Sequence, residues 1–169
     1  MEIVELRSGR MVHIRPIRAD DGARLNEAYE RLSPESKYRR FLGVKPRLTS
    51  SDTRYLVQVD GRDHVALVAT PLDDPESIIA VARFIRSEQD SRAAEWAIVV
   101  GDPYQQEGLA TALLERLARA AAERGITRFK ATMLADNGPA HRLVRSLSPG
   151  ATRERHLGTV DEIEVELAS

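Results

Sequence analysis

The stretch from Ala93 to Leu134 constrains the fold more than any other part of the sequence. It opens with AAEWAIVV, whose β-branched and apolar content predicts a strand, and continues through a short turn into LATALLERLARAAAE. There leucines and alanines recur at helical spacing opposite a charged face, which predicts an amphipathic helix. RFKATML then predicts a second strand. This succession favours a mixed sheet with one crossover at its centre.

The remaining segments predict short helices and further strands around this crossover. Helix starts are expected at Ser33, which precedes a proline, and at Thr49, which has the spacing of a capping box with Asp52. The runs HVALVAT and SIIAVARFI predict antiparallel strands, and both ends of the chain predict hairpins. We therefore expect an α/β (α+β) fold, with about seven mostly antiparallel strands flanked by four or five helices.

Length and composition narrow the classes of function. With 169 residues, 42% of them hydrophobic and 30% charged, the chain suits one soluble domain spanning residues 1–169. A net charge of −1 argues against nucleic acid or a membrane as the main partner. The chain contains no cysteine, and its opening residues lack the apolar core of a signal peptide. We expect a cytoplasmic protein.

The turn between the central strand and helix has the form Gln105-x-x-Gly108-x-Ala110. The first N–H groups of a helix lack intrahelical partners and lie in the positive field of the helix dipole, so such a turn suits a diphosphate. Shape alone would equally suit a crossover that merely turns sharply. The sequence lacks the lysine of a P-loop and the third glycine of a dinucleotide-binding turn, which disfavours ATP and NAD.

This strand, turn and helix resemble the coenzyme A signature of the GNAT superfamily of N-acetyltransferases, written R/Q-x-x-G-x-G/A. TMLADNGPAHRLVRSL is similar to the family's second signature, a strand followed by a helix that begins at an asparagine. Both occur in the family's order and spacing, and the resemblance covers nearly the whole chain. It implies the GNAT fold, acetyl-CoA as co-substrate and transfer of an acetyl group to a primary amine.

Further stretches resemble the acetyltransferase domain of bacterial protein-lysine acetyltransferases. They are RPIRADD, RLSPESKYRRF, VDGRDHVALVA and VARFIR. Several of those proteins carry an additional regulatory or acyl-CoA-synthetase-like domain, for which this chain has no room, so we expect a stand-alone version. The implied acceptor is a protein lysine or a small-molecule amine.

The resemblance also implies which residues bind the cofactor. The backbone of Ile98, Val99 and Val100 would pair with the pantetheine arm, and Asn137 would hydrogen-bond the cofactor near the point where two strands separate. The pyrophosphate would lie on the turn that Gln105 opens, held by the amides of Gln106, Glu107, Gly108, Leu109, Ala110 and Thr111. Because a carboxylate repels a diphosphate, we expect the Glu107 side chain to point to water.

Glu95 is the candidate general base, because an amine must lose its ammonium proton before it can attack a thioester. Its strand is otherwise apolar, so burial would raise its pKa toward the value that suits a base at neutral pH. It also matches the glutamate that the lysine-acetylating relatives carry on this strand. The alternative is a carboxylate that only pairs with Arg83 or Arg86. Trp96 should face the opposite side and pack in the core.

The resemblance leaves one gap. Many family members have a tyrosine acid seven residues after the asparagine, whereas this chain has Val144. A non-catalytic, GNAT-like module that senses acyl-CoA therefore remains an alternative function. His141 lies one turn earlier, where we expect a surface side chain. The other histidines lack ligand spacing, so we expect no metal, and a homodimer could form along the edge of the closing hairpin.

Overall fold

The computed structural model describes residues 2–41, 47–147 and 152–167. These residues form eight strands, one more than expected, and five α-helices. The strands are β1 (Glu2–Glu5), β2 (Met11–Pro16), β3 (His64–Pro71), β4 (Ala80–Arg86), β5 (Ala93–Val100), β6 (Arg128–Leu134), β7 (Thr152–Leu157) and β8 (Val160–Glu166). The helices are α1 (Gly22–Glu30), α2 (Pro34–Phe41), α3 (Ser50–Val57), α4 (Leu109–Glu123) and α5 (Gly138–Leu147). The loop predicted around Gly43 to Pro46 lies outside the described residues.

All eight strands belong to one sheet, in the order β1-β2-β3-β4-β5-β6-β8-β7. Neighbours are antiparallel except β5 and β6, which confirms the mixed and mostly antiparallel sheet. The parallel pairing begins at Ala93 opposite Arg128 and ends at Glu95 opposite Lys130. Beyond it β5 remains paired with β4, and β6 with β8. The two central strands therefore separate and open a cleft in the sheet.

Helices cover both faces of the sheet. On one face α4 buries Leu113 and Leu117 completely, in a core cluster that also holds Phe84 and Phe129, whose ring centroids lie 5.9 Å apart. Trp96 belongs to this cluster, as expected. On the other face α1 and α3 pack over a smaller apolar cluster around β3 and β4. No helix among the described residues is long and apolar enough to cross a membrane.

The helix starts follow the local signals in the sequence. Thr49 and Asp52 form the reciprocal capping box, at 3.0 and 2.9 Å. Ser33 Oγ accepts the N–H of Ser36 at 3.1 Å at the start of α2. These contacts satisfy N–H groups that a helix start leaves free, which is why short polar signals could locate both helices.

A buried ion pair ties β2 to the start of α1. Asp21 is fully buried, and its two carboxylate oxygens accept hydrogen bonds from the guanidinium of Arg15 at 2.8 and 2.9 Å. The N–H of Arg18 donates to the same carboxylate at 2.7 Å. Burial alone would raise the pKa of Asp21, but these hydrogen bonds and the positive charges of Arg15 and Arg24 together lower it below its usual value.

Replacing Asp21 by asparagine should destabilise the protein by about 3–5 kcal/mol at neutral pH, because Arg15 would stay buried without its counter-ion. A lowered folded pKa contributes stability above the unfolded value of about 3.9, and that contribution is lost as the pH falls through the folded pKa. In urea unfolding, the difference in the free energy of unfolding between wild type and Asp21→Asn should therefore be large at pH 7 and become smaller as the pH falls. Asp20→Asn, at the exposed neighbouring position, is the control. Equal stability of wild type and Asp21→Asn at pH 7 would contradict this account.

Candidate functional site

The turn between β5 and α4 contains two residues with left-handed backbone. Gln106 has φ 63° and Gly108, at the N-cap of α4, has φ 87°. Glycine adopts this conformation freely, whereas it costs a residue with a side chain roughly 1–2 kcal/mol. Neighbouring contacts must therefore hold Gln106 in place, and strained backbone of this kind is typical of ligand sites.

The N–H groups of residues 106–111 make no hydrogen bond with the described parts of the chain. The next amide along the chain, that of Ala112, donates to the Gly108 carbonyl at 3.1 Å. A run of free N–H groups at the start of a helix has a positive potential and can cradle a phosphate. The turn thus has the form expected for a diphosphate site.

The turn between β1 and β2 packs against this site and holds it. The N–H of Arg7 donates to the Glu107 carbonyl at 3.2 Å, and the N–H of Ser8 donates to Glu107 Oε1, also at 3.2 Å. Arg10 forms an ion pair with the Glu107 carboxylate and donates to the Pro103 carbonyl at 2.8 Å. Its guanidinium also lies 4.0 Å from the centre of the Tyr104 ring. These contacts explain how the strained turn keeps its shape.

The expectation that the Glu107 side chain points to water is wrong. Only 12% of that side chain is exposed, because it turns toward the β1–β2 turn and pairs with Arg10. The ion pair compensates its charge, which removes the repulsion toward a diphosphate on which the expectation rested. The sequence did not predict that Arg7 and Arg10 lie at this turn. Nothing local in RSGR indicates a contact that spans about a hundred residues.

Gln105 and Asp102 connect the same turn to α2. The Gln105 side chain donates to the Val100 carbonyl at 2.9 Å and to Ser36 Oγ at 3.4 Å. Asp102 accepts the N–H of Ser33 at 3.1 Å and the hydroxyl of Ser36 at 3.3 Å. Burial would raise the pKa of Asp102, yet these hydrogen bonds lower it. The segment after β5 is thus joined to the helices on the other side of the sheet.

The cleft exposes one edge of β5. Ile98, Val99 and Val100 pair with β4 on one side, and no described strand pairs with them on the side facing β6. Their side chains are half-buried, Ile98 and Val100 in the core under α4 and Val99 in the opposite cluster. Backbone N–H and C=O groups on such an edge can bind an extended ligand as an added strand.

Glu95 lies where β5 and β6 separate, but it is exposed rather than buried as expected. The expectation was wrong because no described helix covers β6 and β8 on this face, where Lys130 and Glu162 are also exposed, so an apolar strand does not place the side chain in a core. None of the described ion pairs involves Glu95. The alternative pairing is also not observed, since Arg86 binds Asp63 at 2.8 Å.

Arg83, the other alternative partner, is buried beneath α3. It donates to the Leu56 carbonyl and contacts His64 Nε2, both at 2.9 Å. Burial lowers the pKa of Arg83 to about 9. Burial, followed by the charge of Arg83, lowers the pKa of His64 to about 4, so this imidazole is neutral at pH 7 and accepts from Arg83. Neither of the two arginines that could give Glu95 a purely structural role therefore pairs with it.

Asn137 caps α5 at the far side of the cleft. Its Oδ1 accepts the N–H of Ala140 at 3.3 Å, while its side-chain NH₂ makes no hydrogen bond within the described residues. That group can therefore still donate to a ligand. Val144 is 1% exposed and packs in the core cluster beneath α4, so this position serves packing rather than proton transfer.

The structure also corrects the expectation for His141, which is buried rather than on the surface. Its Nδ1 lies 2.7 Å from the Asn137 carbonyl and its Nε2 lies 2.9 Å from Asp161. Asp161 also binds His156 at 2.7 Å, and this contact lowers the pKa of Asp161 and raises that of His156. Both nitrogens of His141 are occupied, so it does not offer a free acid. No group of three His, Asp or Glu among the described residues is arranged to hold a metal.

Known proteins are similar to this chain in sequence and in architecture. The model of the acetyltransferase (GNAT) family matches residues 24–148. Acetyltransferase Pat of Mycolicibacterium smegmatis is 34% identical over 163 residues, which are 96% of this chain and 48% of Pat. The chain thus spans about half the length of that relative.

Solved structures of acetyltransferases are also similar to this chain. The GNAT domain of S. lividans PAT has a TM-score of 0.87 and 34% identity, over 98% of this chain and 96% of that one. Spermidine N-acetyltransferase from Vibrio cholerae, in complex with CoA and spermine, has a TM-score of 0.70. The match covers 92% of this chain and 95% of the spermidine N-acetyltransferase. Because the identity is 14%, this similarity supports the fold alone. By its sequence, its open central cleft and its amide-lined turn, this chain belongs to the GNAT family of acetyltransferases.

Proposed function

We propose that residues 1–169 act as a single GNAT domain that transfers an acetyl group from acetyl-CoA directly to a primary amine. The observation that carries the proposal is the position of Glu95. It lies at the apex of the cleft, where the pairing of β5 with β6 ends, and the edge of β5 that no described strand pairs leads from it toward a turn whose amides suit a diphosphate. Membership of the family supplies the cofactor that fits both features.

In this proposal the pantetheine arm pairs with the edge formed by Ile98, Val99 and Val100. The diphosphate binds the N–H groups of residues 106–111, on the turn that Gln105 fixes to Val100. The free NH₂ of Asn137 donates to the cofactor across the cleft. The amides of residues 106–111 and the NH₂ of Asn137 have no other partner among the described residues, whereas the Val100 carbonyl also accepts the Gln105 side chain.

Glu95 accepts the proton of the acceptor ammonium, through a water molecule because the side chain is exposed. The neutral amine then attacks the thioester carbonyl carbon and a C–N bond forms. The nitrogen gives up its second proton to solvent as the C–S bond breaks and coenzyme A leaves as a thiolate. With Val144 in place of a tyrosine, the leaving thiolate takes its proton from solvent. An ordinary thiol has a pKa of roughly 8.5, so its thiolate leaves without a dedicated acid.

A protein lysine is the acceptor that the identity to Pat and to S. lividans PAT best supports. A small-molecule amine is the other candidate, since the spermidine N-acetyltransferase of the same fold was solved with spermine. The half of the sheet formed by β6, β8 and β7 leaves an exposed charged face beside Glu95, where a protein surface can approach.

Acetyl transfer predicts that release of free CoA from acetyl-CoA requires an amine. Incubation with acetyl-CoA and a cell lysate, followed by mass spectrometry, should reveal acetylated lysines or a small acetylated amine. The non-catalytic alternative, which the buried Val144 favours, predicts that acetyl-CoA raises the melting temperature while no amine releases CoA. That pair of results would overturn the proposed function.

Replacing Glu95 by glutamine should lower kcat by about 10²- to 10⁴-fold, because the variant cannot accept the ammonium proton. The dissociation constant for CoA, measured by calorimetry, should not change, since Glu95 lies away from the diphosphate turn. Glu162→Gln removes a carboxylate from an exposed position on the same face of the sheet and serves as the control. If Glu95→Gln retains the wild-type rate at neutral pH, the assigned base is wrong.

The Arg10–Glu107 ion pair should matter for CoA affinity, because it compensates a negative charge beside the diphosphate. Arg10→Gln should weaken CoA binding roughly three- to tenfold, a modest effect because Arg10 is 42% exposed. Adding Glu107→Gln should restore part of the affinity, as it removes the uncompensated carboxylate. Calorimetry on Arg10→Gln, Glu107→Gln and the double variant gives the coupling free energy between the two side chains in CoA binding. Strictly additive losses would mean that Arg10 acts only through Pro103 and Tyr104.

A further inference from the structure

The β1–β2 turn brings a second arginine to the turn of residues 105–110, and this one has no counter-ion among the described residues. Arg7 Nη1 donates to the Gln106 carbonyl at 3.4 Å. Its Nε lies 4.0 Å from the place where a side-chain carbon on Gly108 would stand. The guanidinium therefore lies directly beside the left-handed glycine at the start of α4.

The charges around the turn differ between the two arginines. Arg10 is paired with the Glu107 carboxylate. Arg7 is exposed, and none of the ion pairs among the described residues involves it. The turn thus carries one uncompensated positive charge next to the free amides of residues 106–111. A guanidinium has five N–H donors, and the contact with Gln106 uses one of them.

The position of Arg7 does not depend on its own side chain. The backbone N–H of Arg7 donates to the Glu107 carbonyl, and the neighbouring N–H of Ser8 donates to the Glu107 carboxylate. These main-chain contacts fix the β1–β2 turn against the site whatever side chain residue 7 carries. A substitution of Arg7 can therefore remove the charge while the turn keeps its place.

We propose that Arg7 binds the diphosphate of the acyl donor and selects CoA thioesters over thioesters that lack phosphate. The inference rests on the proposed function, because it concerns the same cofactor site. Guanidinium N–H groups match phosphate oxygens in geometry and charge, and such charge-assisted hydrogen bonds are about twice as strong as neutral ones. A residue from the first hairpin thereby completes a site otherwise built from main-chain amides.

The test compares acetyl-CoA with S-acetylpantetheine, which carries the same thioester without phosphate. Arg7→Gln should raise the KM for acetyl-CoA and the dissociation constant for CoA about tenfold, as expected for one charge-assisted hydrogen bond, with kcat unchanged. It should leave kcat/KM for S-acetylpantetheine unchanged. Arg7→Lys should retain most of the affinity, and the loss in Arg7→Gln should shrink at high salt.

Arg119→Gln is the matched control. It removes the same charge from an exposed position of α4 about three turns from Gly108, and it should behave as wild type with both donors. Thermal unfolding of each variant checks that the fold is intact.

The outcomes separate this inference from the proposed function. If wild type binds CoA and Arg7→Gln binds it equally well, the role of Arg7 is overturned and the proposed function stands. If Arg7→Gln weakens use of both donors equally, Arg7 acts through the structure of the turn and the inference is also overturned. If wild type binds no CoA by calorimetry, the proposed function and the inference fail together.

Discussion

The brief parallel contact between β5 and β6 is the constraint on which the rest of this structure depends. It stops at Glu95 opposite Lys130, after which each strand keeps its antiparallel neighbour. A longer contact would close the sheet and satisfy the backbone edge that now faces the cleft. Because the contact is short, β5 keeps a backbone edge on which a ligand could pair, and it carries the Glu95 carboxylate at the point where the strands separate. The far end of β5 continues into the turn that precedes α4.

The turn of residues 105–110, the proposed diphosphate site, shows how neighbouring contacts can hold a strained loop in one conformation. Gln106 holds an unfavourable backbone conformation, and the free amides of residues 106–111 receive no compensation from the described chain. The β1–β2 turn stabilises this arrangement from one side, and the contact between Gln105 and Ser36 does so from the other. The site is thus pre-organised, so that binding need not order the loop.

The surroundings of Glu95, the proposed base, and of Val144 depend on features outside their own strand or helix. Glu95 is exposed because no described helix covers this face of β6, β8 and β7, so as the proposed base it would act through water rather than through burial. On α5 Val144 fills the core at the position where the family resemblance implies a tyrosine, and both ring nitrogens of His141 contact Asn137 and Asp161. In the proposed mechanism Glu95 therefore takes the ammonium proton through water, and the leaving thiolate takes its proton from solvent.

The sequence by itself determined most of the fold and the outline of the site. Local signals such as the Thr49–Asp52 box, the helical spacing of α4 and the Gln105 to Ala110 motif act within a few residues, so they can be read without a structure. The resemblance supplied the cofactor and the candidate base, and the family comparison confirmed the GNAT assignment.

Only the tertiary structure decided which charges meet. The pairing of Glu107 with Arg10, the proximity of Arg7 to Gly108 and the burial of His141 against Asp161 all join residues that lie far apart along the chain. The exposure of Glu95 likewise follows from which strands the helices cover. Burial and ion pairing depend on the neighbours that folding brings together, and no local pattern in the sequence carries that information.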